Sequence, residues 1–221
     1  MLMEKERQEI VDYGKKMSSV GLTNGTSGNI SAYDAEKGMM AISPSGIGYF
    51  DTTKEDVVVM DLYGNVIEGN KKPSSEHTLH ATIYKLNRDA KGVVHTHSTY
   101  CSTLACMEKP VIATHYLLAG AETNIVPCAK YATYGTPELA KEVEAAMNGG
   151  LALLLANHGM VAWGDSLAKA FNVASNVEWV AEIQWRTMCA GKPNVLDKKE
   201  IDCVIESFKS YGQTKSKKGG Y

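Results

Sequence analysis

The sequence predicts an α/β fold in one domain whose first third is antiparallel sheet. Strand-like and helix-like stretches mix without the regular β-α-β-α rhythm of a parallel sheet. Short apolar runs cluster as hairpin partners before residue 70. A chain of 221 residues is also long enough to bury one sizeable core. No Gly-x-Gly-x-x-Gly or Walker A sequence occurs, which disfavours a nucleotide-binding fold.

Residues 3–20 read as an amphipathic helix, with Ile10, Gly14, Met17 and Gly21 near a helical period, ending before Thr23-Asn24-Gly25. Residues 29–33 and 39–43 follow a glycine-rich turn and are short enough to be paired strands. Residues 57–61 and 66–68 flank Leu62-Tyr63-Gly64-Asn65 as a hairpin. Pro73-Ser74-Ser75-Glu76 resembles a helix start, with serine as N-cap and an acid in the first turn, for a helix running to about Asn87.

Residues 93–97 form the next strand. Thr136-Pro137-Glu138 opens a second helix, a capping hydroxyl followed by proline at the first helical position, and Gly149-Gly150 lies beyond its end. Residues 151–156 are continuously apolar, as in a strand buried on both faces. Asp165 or Ser166 caps a long helix through about Cys189, which Gly191-Lys192-Pro193 breaks, and a last helix covers residues 198–210. The domain is expected to span residues 1–211. Residues 212–221 are polar and expected to be a flexible tail.

Charge is nearly balanced, with 23 Lys and Arg against 25 Asp and Glu, so no basic footprint for nucleic acid or an anionic membrane is present. No stretch approaches the roughly 20 apolar residues of a membrane span, and the charged segment from Met1 to Glu9 lacks the apolar core of a signal peptide. The five cysteines are odd in number and scattered, without a Cys-x-x-Cys pair. Ordinary thiols in a cytoplasmic protein acting on small molecules are therefore expected.

Val93-Val94-His95-Thr96-His97 sets two imidazoles on one face of a strand. Neutral imidazole is a common ligand for a borderline divalent metal. His77, His80, His115 and His158 compete for a third position. His158 stands out in Asn157-His158-Gly159, where the buried run gives way to a loop. Glu76 and His80 are one helical turn apart, so a helix-borne pair is another ligand source. Three segments rich in glycine and hydroxyls, Gly25-Thr26-Ser27-Gly28-Asn29, Ser43-Pro44-Ser45-Gly46 and Ser74-Ser75, could cradle a phosphate or carboxylate without a lysine.

Gly-Thr-Ser-Gly-Asn, Ser-Pro-Ser-Gly, Pro-Ser-Ser-Glu, His-Thr-His and Asn-His-Gly occur in this order over residues 25–159. In this combination the chain resembles the class II aldolase and adducin-like family, most of all its fuculose-phosphate aldolase branch. The resemblance implies a three-layer fold, a central mainly antiparallel β-sheet flanked by α-helices. It implies one Zn2+ per subunit bound by Glu76, His95, His97 and His158, with Glu76 also the catalytic base. It implies phosphate binding by Gly28, Asn29, Ser45, Gly46, Ser74 and Ser75.

Tyr116 matches a tyrosine that donates a proton in a neighbouring subunit's active site, and Tyr211 is the nearest match to a second, C-terminal tyrosine. Tyr134 matches an aromatic beside the aldehyde. The implied reaction is reversible cleavage of L-fuculose 1-phosphate, or a related deoxypentulose or pentulose 1-phosphate, to dihydroxyacetone phosphate and a small aldehyde by a homotetramer. Within the family, methylthioribulose-1-phosphate dehydratase and L-ribulose-5-phosphate 4-epimerase are the enzymatic alternatives. The epimerase branch typically carries aspartate where this chain has Glu76. Adducin-like interaction modules, the non-enzymatic alternative, would be expected to lose the ligands that this sequence keeps.

Overall fold

The computed structural model describes residues 1–210. Tyr211 and the 212–221 tail lie outside the described residues. In chain order the elements are α1 (Glu4–Ser19), β1 (Asn29–Asp34), β2 (Met39–Ile42), β3 (Val58–Met60), β4 (Val66–Glu68), α2 (His77–Leu86) and β5 (Gly92–Thr96). Then follow α3 (Thr99–Cys106), β6 (Val111–Ile112), a 3-10 helix (Tyr116–Ala121), β7 (Ile125–Val126), β8 (Cys128–Ala129) and α4 (Pro137–Ala146). β9 (Ala152–Leu155), β10 (Gly159–Gly164), α5 (Leu167–Ala190) and α6 (Lys198–Phe208) complete the described chain.

Eight strands form one sheet in the order β4-β3-β2-β1-β5-β10-β9-β8. Every pairing is antiparallel except β8 with β9. The pleat sends alternate residues to two cores. Val94, Met160, Ala162 and Leu154 pack toward α1, α3 and α5, while Val93, Val161, Trp163 and Leu153 pack toward α2 and α4. The sheet is thus covered on both faces, which accounts for the unbroken burial of β5, β9 and β10.

Local signals explain most boundaries. Thr136 caps α4 through Leu139 N, with proline in the first turn, and Ser166 caps α5 through Lys169 N. α2 starts one step later than the sequence suggests. Ser74 Oγ accepts from Glu76 N at 3.2 Å, so the serines form the preceding turn and Glu76 itself occupies the N-cap. The five cysteines are free. Among the described residues no helix is long and apolar enough to cross a membrane.

Candidate active site

Strand geometry brings the histidines together. His95 follows Val93 by two residues on the α2 side of β5, and His97 lies one residue past the strand's end. His158 sits in the tight β9–β10 connection, where Asn157 takes a left-handed backbone conformation with φ 53°. Since β10 pairs with β5 in the register Met160 to Thr96, that turn lies beside His95 and His97. The ring centroids are 4.7 Å apart for His95 and His158 and 4.9 Å for the other two pairs.

Glu76 closes the group from the start of α2. Its Oε2 is 3.3 Å from His95 Nε2 and its Oε1 is 3.3 Å from His158 Nε2. One ligand atom from each of Glu76, His95, His97 and His158 lies within 4.8 Å of all the others. The rival histidines do not join them. His80 is fully buried against Asn29 and Ser31, His115 packs on Trp179 in front of the 3-10 helix, and His77 stays outside the group on α2.

These donors fit a divalent metal. His95 Nδ1 lies 2.9 Å from the Met160 carbonyl oxygen, which needs an N–H there and turns the Nε2 lone pair inward. His97 Nε2 is 3.0 Å from that atom. Buried Glu76 Oε1 has no hydrogen-bond partner. Tetrahedral ligation at about 2.0–2.1 Å sets donor atoms about 3.3 Å apart, close to the observed spacings. Burial, then the proximity of His95, pushes the His97 and His158 pKa values down to about 4 against the pull of Glu76. Both imidazoles are therefore neutral ligands near pH 7. Burial by itself would raise the Glu76 pKa, but His95, His158 and the Asn29 hydrogen bond outweigh it and keep the carboxyl below its usual range.

His95 is fully buried, while Glu76, His97 and His158 line a cleft of about 230 Å3. All six residues expected to hold phosphate, Gly28, Asn29, Ser45, Gly46, Ser74 and Ser75, line it. The loops around Ser45 and Ser74 are laced together by Ser74 N to Ser43 O at 3.1 Å and Ser45 N to Lys72 O at 2.9 Å. Gly28 has φ +73°, and a Cβ there would lie 2.7 Å from His95 O, so its turn rests directly on the ligand strand. No lysine or arginine among the described residues lines the cleft. A larger cavity of about 500 Å3, beside Arg88, Trp163 and Lys169, contains none of these groups.

Tyr134 borders the cleft, and Tyr116 does not. Tyr116 is 47% exposed, with its ring against His115 and Phe208. Tyr211 lies outside the described residues. Thr26 and Ser27 also line the cleft, and their place in the glycine-rich segment was the signal for them. Glu178 has no local sequence signal. Its carboxylate accepts from Ser98 Oγ at 2.7 Å and from the N–H groups of Tyr100 and Cys101 at 2.8 Å, anchoring the segment directly after His97.

Comparison with known proteins points to one family. A family model described as Class II Aldolase and Adducin N-terminal domain matches residues 8–185. The chain is 46% identical to 5-deoxy-D-ribulose 1-phosphate aldolase of Bacillus thuringiensis serovar kurstaki, over 96% of this chain and 100% of that protein. It is 40% identical to 5-methylthioribulose-1-phosphate/5-deoxyribulose-1-phosphate aldolase of Rhodospirillum rubrum, over 93% of this chain and 92% of that one. Among solved structures, an L-fuculose 1-phosphate aldolase superposes with a TM-score of 0.91 at 44% identity, covering 95% of this chain and 98% of that chain.

Proposed function

The chain belongs to the class II aldolase and adducin family, and from that premise we propose that it reversibly cleaves a ketose 1-phosphate to dihydroxyacetone phosphate and a small aldehyde, using one Zn2+ per subunit. The observation that carries this reading is the convergence of Glu76, His95, His97 and His158 beside a cleft lined by glycine and hydroxyl loops. His95, His97 and His158 hold the ion, with Glu76 a fourth ligand before substrate enters. The bound ion supplies Lewis-acid stabilisation of the negative charge that carbon–carbon cleavage leaves beside a carbonyl.

The protein's own groups bind the phosphate and move the protons. Gly28, Ser45, Gly46, Ser74 and Ser75 cradle the phosphate near the N-terminus of α2, whose dipole favours an anion. Asn29 contributes the amide hydrogen that Glu76 does not use. In the synthetic direction Glu76 removes a carbon-bound proton from dihydroxyacetone phosphate, and Tyr116 of a neighbouring subunit protonates the aldehyde oxygen. In cleavage both transfers reverse, and Tyr211 assists. The exposure of Tyr116 away from its own cleft supports an active site shared between subunits of a homotetramer. Lys130 is exposed and outside the cleft, so a Schiff-base lysine is not part of this reading.

For the substrate, 5-deoxyribulose 1-phosphate, 5-methylthioribulose 1-phosphate and L-fuculose 1-phosphate differ only in the aldehyde half, which Tyr134 is placed to meet. A cytoplasmic enzyme of carbohydrate metabolism is the matching setting. Metal analysis together with an assay for released dihydroxyacetone phosphate tests the proposal. Chelator-sensitive release from one of these three ketose 1-phosphates is expected, and no release from any of them would overturn it.

A further inference from the structure

Behind Glu76 a line of buried polar groups leads away from the cleft. Asn29, Ser31, His80 and Tyr84 are all buried, and the chemistry above uses only Asn29. Asn29 Nδ2 donates to Glu76 Oε2 at 2.9 Å, and Asn29 Oδ1 lies 2.5 Å from His80 Nε2. His80 Nδ1 lies 2.6 Å from Ser31 Oγ, which is 2.8 Å from Tyr84 Oη. The single Tyr84 hydroxyl hydrogen is shared between Ser31 Oγ and Ser31 O, the latter 3.0 Å away.

Only one direction of donation satisfies this line. The carboxylate accepts, so the Asn29 N–H must face it and the amide oxygen must face His80. That oxygen also only accepts, so His80 carries its proton on Nε2, and Ser31 donates to Nδ1. The reverse arrangement would set the Asn29 oxygen against a carboxylate oxygen in a buried site. Burial pushes the His80 pKa down to about 3, in keeping with a neutral ring that donates at one nitrogen and accepts at the other. The result at Glu76 is asymmetric, because Oε2 is tied while buried Oε1 has no hydrogen-bond partner.

We propose that His80 is a positioning residue for Glu76: through Asn29 it fixes Oε2 and leaves Oε1 as the atom that takes up the substrate proton. This inference rests on the aldolase reading of Glu76.

Two substitutions and one spectrum test it. His80→Leu removes the donor, whereas His80→Gln keeps an N–H able to reach Asn29 Oδ1 and gives up the Ser31 contact. In the folded, metal-loaded protein, His80→Leu is expected to lower kcat for ketose 1-phosphate cleavage about 10–100-fold, the usual cost of losing an outer-shell partner. Metal content should stay within about twofold, any rise in KM through Asn29 should be smaller than the fall in kcat, and His80→Gln should recover most of the loss. In the wild-type protein, NMR of 15N-labelled histidine is expected to place the His80 proton on Nε2.

An unchanged kcat in His80→Leu, equal losses in the two variants, a loss that tracks metal content, or a proton on Nδ1 would each overturn the proposal. If His80→Leu does not fold, the tautomer and His80→Gln decide. If the wild type cleaves no ketose 1-phosphate, the aldolase reading fails and the role of Oε1 with it. A proton on Nε2 would then identify that failure as distinct from an error in the hydrogen-bond line.

Discussion

His95 and His97 aim their Nε2 atoms at each other across 3.0 Å, and a neutral His95 presents only a lone pair there. His95 uses its N–H on the Met160 carbonyl, and burial keeps the His97 pKa near 4. So close an approach needs either a proton on His97 Nε2 or a cation between the two nitrogens.

Metal removal is therefore expected to destabilise the fold as well as stop turnover. An ion at a thousandfold over its dissociation constant contributes about 4 kcal/mol, which for a chain of this size is roughly 8–16 °C in melting temperature. Calorimetry before and after chelation, with zinc added back, measures it. An unchanged melting temperature would show that the four residues hold no ion.

Glu76→Gln keeps the side chain's size and its contact with Asn29 but removes the base. Turnover should fall by at least ~100-fold, the usual contribution of a positioned acid–base group, while the circular dichroism spectrum stays that of the wild type. Normal turnover would refute the base assignment.

Gly28→Ala tests the contact between a substrate loop and the ligand strand. Alanine at φ +73°, with its methyl 2.7 Å from His95 O, should cost about 2 kcal/mol or more. His95 would be displaced, so metal affinity should fall with the melting temperature. Wild-type stability and metal affinity together would contradict the tight approach.

Acid should destabilise the metal-free protein before its carboxylates titrate. His80 has its pKa lowered to about 3 and His97 and His158 to about 4, from 6.5. The unfolded chain therefore binds more protons, so the stability present above pH 6.5 is lost as pH falls toward 4. Each histidine contributes a slope of up to about 1.4 kcal/mol per pH unit. Denaturant unfolding of the metal-free protein at several pH values gives the slope, and a flat profile from pH 6.5 to 4.5 would exclude these buried neutral rings.

Mixing inactive subunits tests the shared site. Co-refolded Glu76→Gln and Tyr116→Phe chains should regain activity, since a Tyr116→Phe subunit supplies Glu76 and its neighbour supplies Tyr116. For random assembly of a cyclic tetramer the recovery is roughly a quarter of wild type. No recovery in verified hybrids would place Tyr116 outside its neighbour's active site.

Much of the site was legible because its signals are local. The alternation of His95 and His97, the buried run before His158 and the glycine–hydroxyl segments are each visible within a few residues. What stayed hidden depends on long-range pairing. β10, the strand next to β5, runs from Gly159 to Gly164 directly after Asn157-His158, and no local signal marks its pairing with β5. The contact of Asn29 with His80 spans 51 residues, and the anchoring of Ser98 by Glu178 spans 80. The short helix α3 begins without a side-chain cap of its own, because that distant carboxylate meets its free N–H groups.

Because β5 and β10 are hydrogen-bonded neighbours, His158 meets His95 only in one alignment of the two strands. A slip of a single residue would turn the β10 side chains to the opposite face and carry the β9–β10 turn away from the other ligands. An ion bound by the four residues would therefore favour the one register that brings His158 beside His95.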